Sequence, residues 1–233
     1  MAEEVQRELT AEEAEQLVRV EGSKDALEAL IDDLAGSSRR VRQLSAHVVE
    51  LLAERAPELL APYIPALIDA LERPEAQTRW EVLDALSLLA PEHAKDCGPA
   101  YDGAKAALFD ELSAPLRLSA FRFLTVWGST ERRRSEKVWP ILDEAIQCYH
   151  GDLEYRDMLG LLYAFSGGQI AGRVAEELAG RLQFDAENGK GAYLKNRSRE
   201  IYDMLVKRFK LDKPQKRTRA AKADDDADDE GEE

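Results

Sequence analysis

One basic residue returns along this chain at nearly constant spacing. Arg42, Arg79, Arg117, Arg156 and Lys195 succeed one another at steps of 37, 38, 39 and 39 residues. The positions downstream of each also repeat. Three positions on stand Ser45, Val82, Ala120, Leu159 and Ser198; six on, Val48, Ala85, Phe123, Leu162 and Ile201; ten on, Leu52, Leu89, Trp127, Ser166 and Leu205. Offsets three, six, seven and ten fall on one face of a helix, so each basic residue opens a helix with one core-facing stripe. Ahead of each runs a partner with its own stripe, such as Ile64, Leu67, Ile68 and Leu71, or Val138, Ile141, Leu142 and Ile146. A period near 40 with two helices per unit marks an α-solenoid. No single pair buries its stripe alone, so neighbours must stack.

The units predicted this way cover approximately 24–56, 57–94, 95–132, 133–168 and 169–210, within a repeat domain of residues 10–212. Pro and Gly stand mainly between helical segments or at their starts: Gly36, Pro57, Pro62, Pro74, Pro91, Pro99, Pro115, Gly128 and Gly151. Proline suits a helix's first turn, where its missing N–H would be unpaired anyway. No alternating β-branched run argues for a sheet. Thr10-Ala11-Glu12-Glu13 reads as a capping box opening an acidic helix over the first unit. Residues 1–9 are expected to be flexible. Residues 213–233, basic and then acidic, have almost no large apolar side chains to offset ordering entropy and are expected to be disordered.

The segments Val41-Arg42-Gln43-Leu44-Ser45-Ala46 and Leu116-Arg117-Leu118-Ser119-Ala120-Phe121 resemble the second helix of HEAT repeats. Ile64-Pro65-Ala66-Leu67 and Trp139-Pro140-Ile141-Leu142 resemble that family's proline-bearing first helix. The resemblance runs over roughly residues 24–210. It implies an all-α, right-handed α-α superhelix: a HEAT-like (armadillo-like) solenoid of about five helix pairs, with an N-terminal capping helix and a disordered C-terminal tail. The family often carries an Asp in the turn before the Arg, forming a ladder with it. Here only Asp152, ahead of Arg156, stands in that place, so no regular ladder is predicted.

The charge balance limits the partners. Hydrophobic residues make up 44% of the chain and charged residues 33%, enough for a packed core under a solvated exterior. The net charge is −14, and the acidic excess persists when the tail is set aside. Such a field repels nucleic acid and anionic membranes at long range. Arg39-Arg40 and Arg132-Arg133-Arg134 are local basic clusters, expected at turns. Cys97 and Cys148 lack metal-type spacing and read as free thiols in a reducing cytosol. The acidic N-terminus is no signal peptide, and no apolar run approaches the roughly 20 residues of a membrane helix. A cytoplasmic protein, monomeric and without a membrane segment, is the expectation.

Motifs for chemistry are sparse. His47, His93 and His150 stand in different units without the spacing of a helical zinc site, so neither metal nor cofactor is predicted. Ser166-Gly167-Gly168 and Gly189-Lys190-Gly191 complete no phosphate-binding loop, and no catalytic residue is assigned. One enzyme class is carried as an alternative: the HEAT-like glycosylases for alkylated DNA, which use aromatic residues and a carboxylate. Trp80, Trp127 and Asp84 could play those parts, but the basic surplus for phosphate contact is missing.

The resemblance also implies where a partner sits, because second helices line the concave face of such solenoids. Offset one from the basic residue gives Gln43, Trp80, Leu118, Asp157 and Asn196. Offset five gives His47, Asp84, Arg122, Leu161 and Glu200; offset eight gives Glu50, Ser87, Thr125, Ala164 and Asp203. An apolar centre (Trp80, Leu118, Leu161) beside Asp84, Arg122, Asp157 and His47 suits a protein or peptide partner. A non-enzymatic interaction scaffold is therefore the leading expectation. The alternatives are nucleic-acid binding or repair on the same scaffold, and a structural subunit of a larger complex with no groove ligand.

Overall fold

The structure, a computed structural model, describes residues 9–211. The expectations for residues 1–8 and for the tail from 213 onward lie outside the described residues. Eleven α-helices, three short 3₁₀ turns and no strand occur among the described residues. A lone helix α1 (Ala11–Gly22) precedes five pairs. These are α2 (Lys24–Asp33) with α3 (Arg39–Arg55), α4 (Ile64–Ala70) with α5 (Ala76–His93), α6 (Tyr101–Leu108) with α7 (Ala114–Gly128), α8 (Arg132–Tyr149) with α9 (Tyr155–Gly167), and α10 (Gly172–Asn188) with α11 (Ala192–Phe209).

The local signals explain the starts. Thr10 accepts from the Glu13 amide at 3.2 Å while the Glu13 carboxylate accepts from the Thr10 amide at 2.8 Å, the predicted reciprocal box. Ser23, Ser38 and Ser113 cap α2, α3 and α7 in the same position. Two expectations need correction. Pro91 does not separate helices: α5 runs through it to His93. The arginine clusters are not in turns: Arg39 and Arg132 are the first residues of α3 and α8. Arg134 there is held by Glu131 at 3.5 Å and lies over the Trp127 ring at 5.7 Å.

The second helices α3, α5, α7, α9 and α11 pack one against the next to form a continuous layer, and α8 packs on α10 in the first-helix layer. All fifteen residues at offsets three, six and ten are buried. Each fully buried Leu, Ile or Phe among them contributes about 1.5–3 kcal/mol relative to exposure. Offset seven conforms only in the first three units: Val49, Leu86 and Leu124 are buried, whereas Tyr163 is 40% exposed. α5 and α7 are apolar nearly all round because they are enclosed by their own first helices and by a second helix on either side.

A ladder of side chains links the units, contrary to the expectation from Asp152. The Arg42 guanidinium donates to the Gly36 carbonyl of its own unit at 2.7 Å, and its Nε to Glu75 of the next unit at 3.1 Å. Its other terminal nitrogen also meets Glu75. Arg79 stands 3.9 Å from Asp110. Arg117 repeats the Arg42 pattern: Nε reaches Glu154 at 2.7 Å and Nη1 reaches the Asp110 carbonyl at 2.8 Å. Glu75 and Glu154 are the residues just ahead of α5 and α9, so at these two rungs the acid is a Glu at the helix cap of the following unit; Arg79 meets Asp110, in the loop ahead of α7 in the following unit. The Arg42 hydrogen bonds hold the Glu75 carboxyl below its usual range. The ladder ends at Arg156, whose guanidinium lies 4.4 Å over the Tyr193 ring instead.

Candidate functional site

The residues of the three rows differ in exposure. Trp80, Leu118 and Leu161 are half-buried and pack against the core. Asp157, Asn196, Glu200 and Asp203 are exposed. The offset-eight row is not continuous. Ser87 and Thr125 are buried, and their hydroxyls donate back to the carbonyls of Leu83 at 2.7 Å and Phe121 at 2.9 Å. Small hydroxyl residues satisfied by their own helix are what the close approach of α5 and α7 demands.

Asp84, Arg122 and Ser119 form a fixed unit across α5 and α7. Arg122 donates to Asp84 Oδ1 at 2.7 Å and Ser119 to Oδ2 at 2.8 Å. Burial still raises the Asp84 carboxyl above its ordinary range, against the pull of Arg122 and Ser119. Of the residues that could play the glycosylase parts, Trp80, Trp127 and Asp84, Trp127 does not face a site. Trp127 is only 4% exposed, its indole donates to the Ala94 carbonyl at 2.7 Å, and its ring stacks on Phe123. It is a core residue.

Next to this unit the fold assembles a second group, drawn from α1, α3 and α5. His47 of α3 meets Glu13 of α1 through Nε2 at 2.9 Å and Glu81 of α5 through Nδ1 at 3.2 Å. Glu50, one turn on from His47, stands 3.9 Å from the same Nδ1. One ligand atom from each of His47, Glu50 and Glu81 falls within 4.8 Å of the others. Glu81 is 4% exposed; Gln77 donates to its Oε1 at 3.1 Å, and its buried Oε2 accepts no hydrogen bond. Burial, with Asp84 and Glu81 close by, pushes the Glu50 carboxyl up to about 7, and burial raises Glu81 as well. A cleft lined by Glu13, Gln16, Gln43, Leu44, His47 and Gln77 opens beside the imidazole.

His47, an offset-five residue, belongs to this carboxylate group and not with Trp80, Leu118 and Leu161. A signal for it existed. Glu81 sits in the otherwise core-like run Trp80-Glu81-Val82-Leu83, and His47 and Glu50 share a helix face at i,i+3.

No family model and no curated protein matches this sequence. Solved structures do. An engineered protein superposes with a TM-score of 0.68 at 15% identity, covering 84% of this chain and 90% of its own. A designed armadillo repeat protein, solved in complex with the peptide (KR)4, superposes at 0.67 and 14% identity, covering 82% and 86%. The armadillo-repeats-only protein of Plasmodium falciparum superposes at 0.57 and 12% identity, covering 85% and 99%. With its five stacked helix pairs and these neighbours, the chain has the armadillo/HEAT-like helical-repeat fold.

Proposed function

We propose that this protein is a non-enzymatic scaffold whose second-helix layer binds an extended, basic segment of a partner protein. The observation that carries the reading is the composition of that layer. Trp80, Leu118 and Leu161 present half-buried apolar surface, and the charged residues around them in the three rows are Glu50, Asp84, Asp157, Glu200 and Asp203 against Arg122 alone. Apolar contacts at the centre would anchor the segment, and the acidic rim would steer Lys and Arg side chains toward it. The same acidic rows oppose contact with phosphate. Asp84 is already oriented by Ser119 and Arg122, which lowers the cost of ordering it on binding. A designed armadillo protein of similar fold, solved with a peptide of alternating Lys and Arg, supports the chemistry. The protein would act as a monomer in the cytoplasm.

The test is titration of a fluorescein-labelled octapeptide of alternating Lys and Arg, read by anisotropy. Binding should weaken with salt, and further in a variant combining Asp157→Asn, Glu200→Gln and Asp203→Asn. A chain ending at residue 212 controls for the acidic tail. Binding that vanishes on removing the tail and ignores the triple variant would refute the reading.

A further inference from the structure

We propose that His47, Glu50 and Glu81 form a binding site for a divalent transition-metal ion, of which Zn²⁺ is the representative. The donor set, one imidazole nitrogen with two carboxylates, suits such ions and leaves coordination positions for water or a partner's side chain. The geometry is close to what an ion requires. Ligand atoms held at about 2.0–2.2 Å from a tetrahedral ion stand roughly 3.3–3.6 Å apart. Here Nδ1 of His47 is 3.2 Å from Glu81 and 3.9 Å from Glu50, and the three donors lie within 4.8 Å of one another. Small side-chain rotations close the difference.

Two further observations point to a cation. First, the other nitrogen of His47 faces Glu13 at 2.9 Å. A metal-ligating histidine characteristically donates its second N–H to a carboxylate, which fixes the ring and makes the ligating nitrogen more basic. In the tautomer that carries its proton on Nε2, facing Glu13, Nδ1 presents its lone pair toward Glu50 and Glu81. Second, Glu81 is a carboxylate at 4% exposure, aimed at the imidazole by Oε1, while its buried Oε2 has no hydrogen-bond partner. An uncompensated buried carboxylate oxygen is costly, and an ion held by both oxygens of Glu81 would supply the missing interaction. The balance of charge agrees. Glu13, Glu50 and Glu81 converge on one imidazole, and Arg122 of α7 is engaged by Asp84.

The ligands come from α3 and α5, and Glu13 comes from α1, so a bound ion would tie the capping helix and the first two second helices together. The site rests on the geometry of this group; it shares Glu50 with the acidic rows of the peptide-binding proposal, but its test uses the metal alone, so the two can fail separately.

The experiment is calorimetric titration of the full chain, stripped with chelator, with Zn²⁺, with Mg²⁺ as the hard-ion control and His93→Ala as a surface-histidine control. One Zn²⁺ should bind at micromolar or tighter affinity, and Mg²⁺ at least about 100-fold more weakly. His47→Ala and Glu81→Gln should each abolish that one equivalent, and Glu13→Gln should weaken it about 10- to 100-fold. Thermal melts with Zn²⁺ should move upward in the parent chain and stay put in His47→Ala. If Glu81→Gln does not fold, Glu50→Gln takes its place. The site is refuted if Zn²⁺ fails to bind, or if the bound equivalent survives His47→Ala, which would assign it to surface histidines or the acidic tail.

Discussion

The ladder between Arg117 and Glu154 offers the sharpest quantitative prediction, because it joins the third helix pair to the fourth through one atom. Glu154 Oε1 accepts from Arg117 Nε at 2.7 Å and stands 2.6 Å from Nη2, and both side chains are about 14% exposed. Exposed ion pairs contribute about 0.2–1 kcal/mol, whereas hydrogen bonds to charged groups sheltered from water contribute about 1.5–3 kcal/mol. Accessibility here is closer to the second case, so the coupling between the two residues should be about 2 kcal/mol. Arg117→Met should cost more, about 3 kcal/mol, because it also releases the Asp110 carbonyl and the contact over the Tyr149 ring. For a chain of this size that lowers the melting temperature by about 6–12 °C. The assay is a double-mutant cycle of Arg117→Met and Glu154→Gln by urea unfolding, monitored by far-UV circular dichroism. A coupling below about 0.5 kcal/mol would show that the pair is an ordinary surface contact and would refute the ladder as a link between units.

The packing sets further outcomes. At Gly128 a methyl group would stand 2.5 Å from Val138 Cγ2 and 3.3 Å from Phe165 Cε2, so Gly128→Ala should destabilise by about 1–3 kcal/mol in the same unfolding assay. Trp127→Ala removes a stacked core ring and orphans the Ala94 carbonyl, and should cost about 3–5 kcal/mol. Trp80 is only half-buried, so Trp80→Ala should keep a cooperative melt while weakening octapeptide binding in the anisotropy titration. Cys97 is fully buried and its thiol is pushed up to about 12 by burial, whereas Cys148 is exposed. A thiol reagent at pH 8 should therefore label one cysteine in the native protein and two in denaturant.

What the sequence reveals divides along a physical line. The stripe at offsets three, six and ten is legible because it is local: the helical period is written in the residues that obey it, and Val48, Phe123 and Leu162 are buried as that period requires. The contacts between units are not local. Arg42 finds Glu75 33 residues on, and His47 finds Glu13 34 residues back, and nothing in either neighbourhood marks the partner. The ladder is also hidden by its chemistry. A family-style Asp in the turn points to Asp152, while the fold uses Glu154, two positions later, because the cap of α9 is where the Arg117 fork arrives. The inner rows are half legible. Helix phase gives Trp80, Leu118 and Leu161 their half-buried positions, but it does not tell that Ser87 and Thr125 are buried where α5 packs on α7.

The claim on which the functional account turns is that a basic segment lies along the second-helix layer. Methyl-resolved NMR of leucine-labelled protein tests it most directly. On adding the Lys/Arg octapeptide, the methyl resonances of Leu118 and Leu161 should shift, while those of Leu112 and Leu153, exposed in the turns within pairs, should stay in place. Shifts confined to Leu112 and Leu153, or none at saturating peptide, would contradict it.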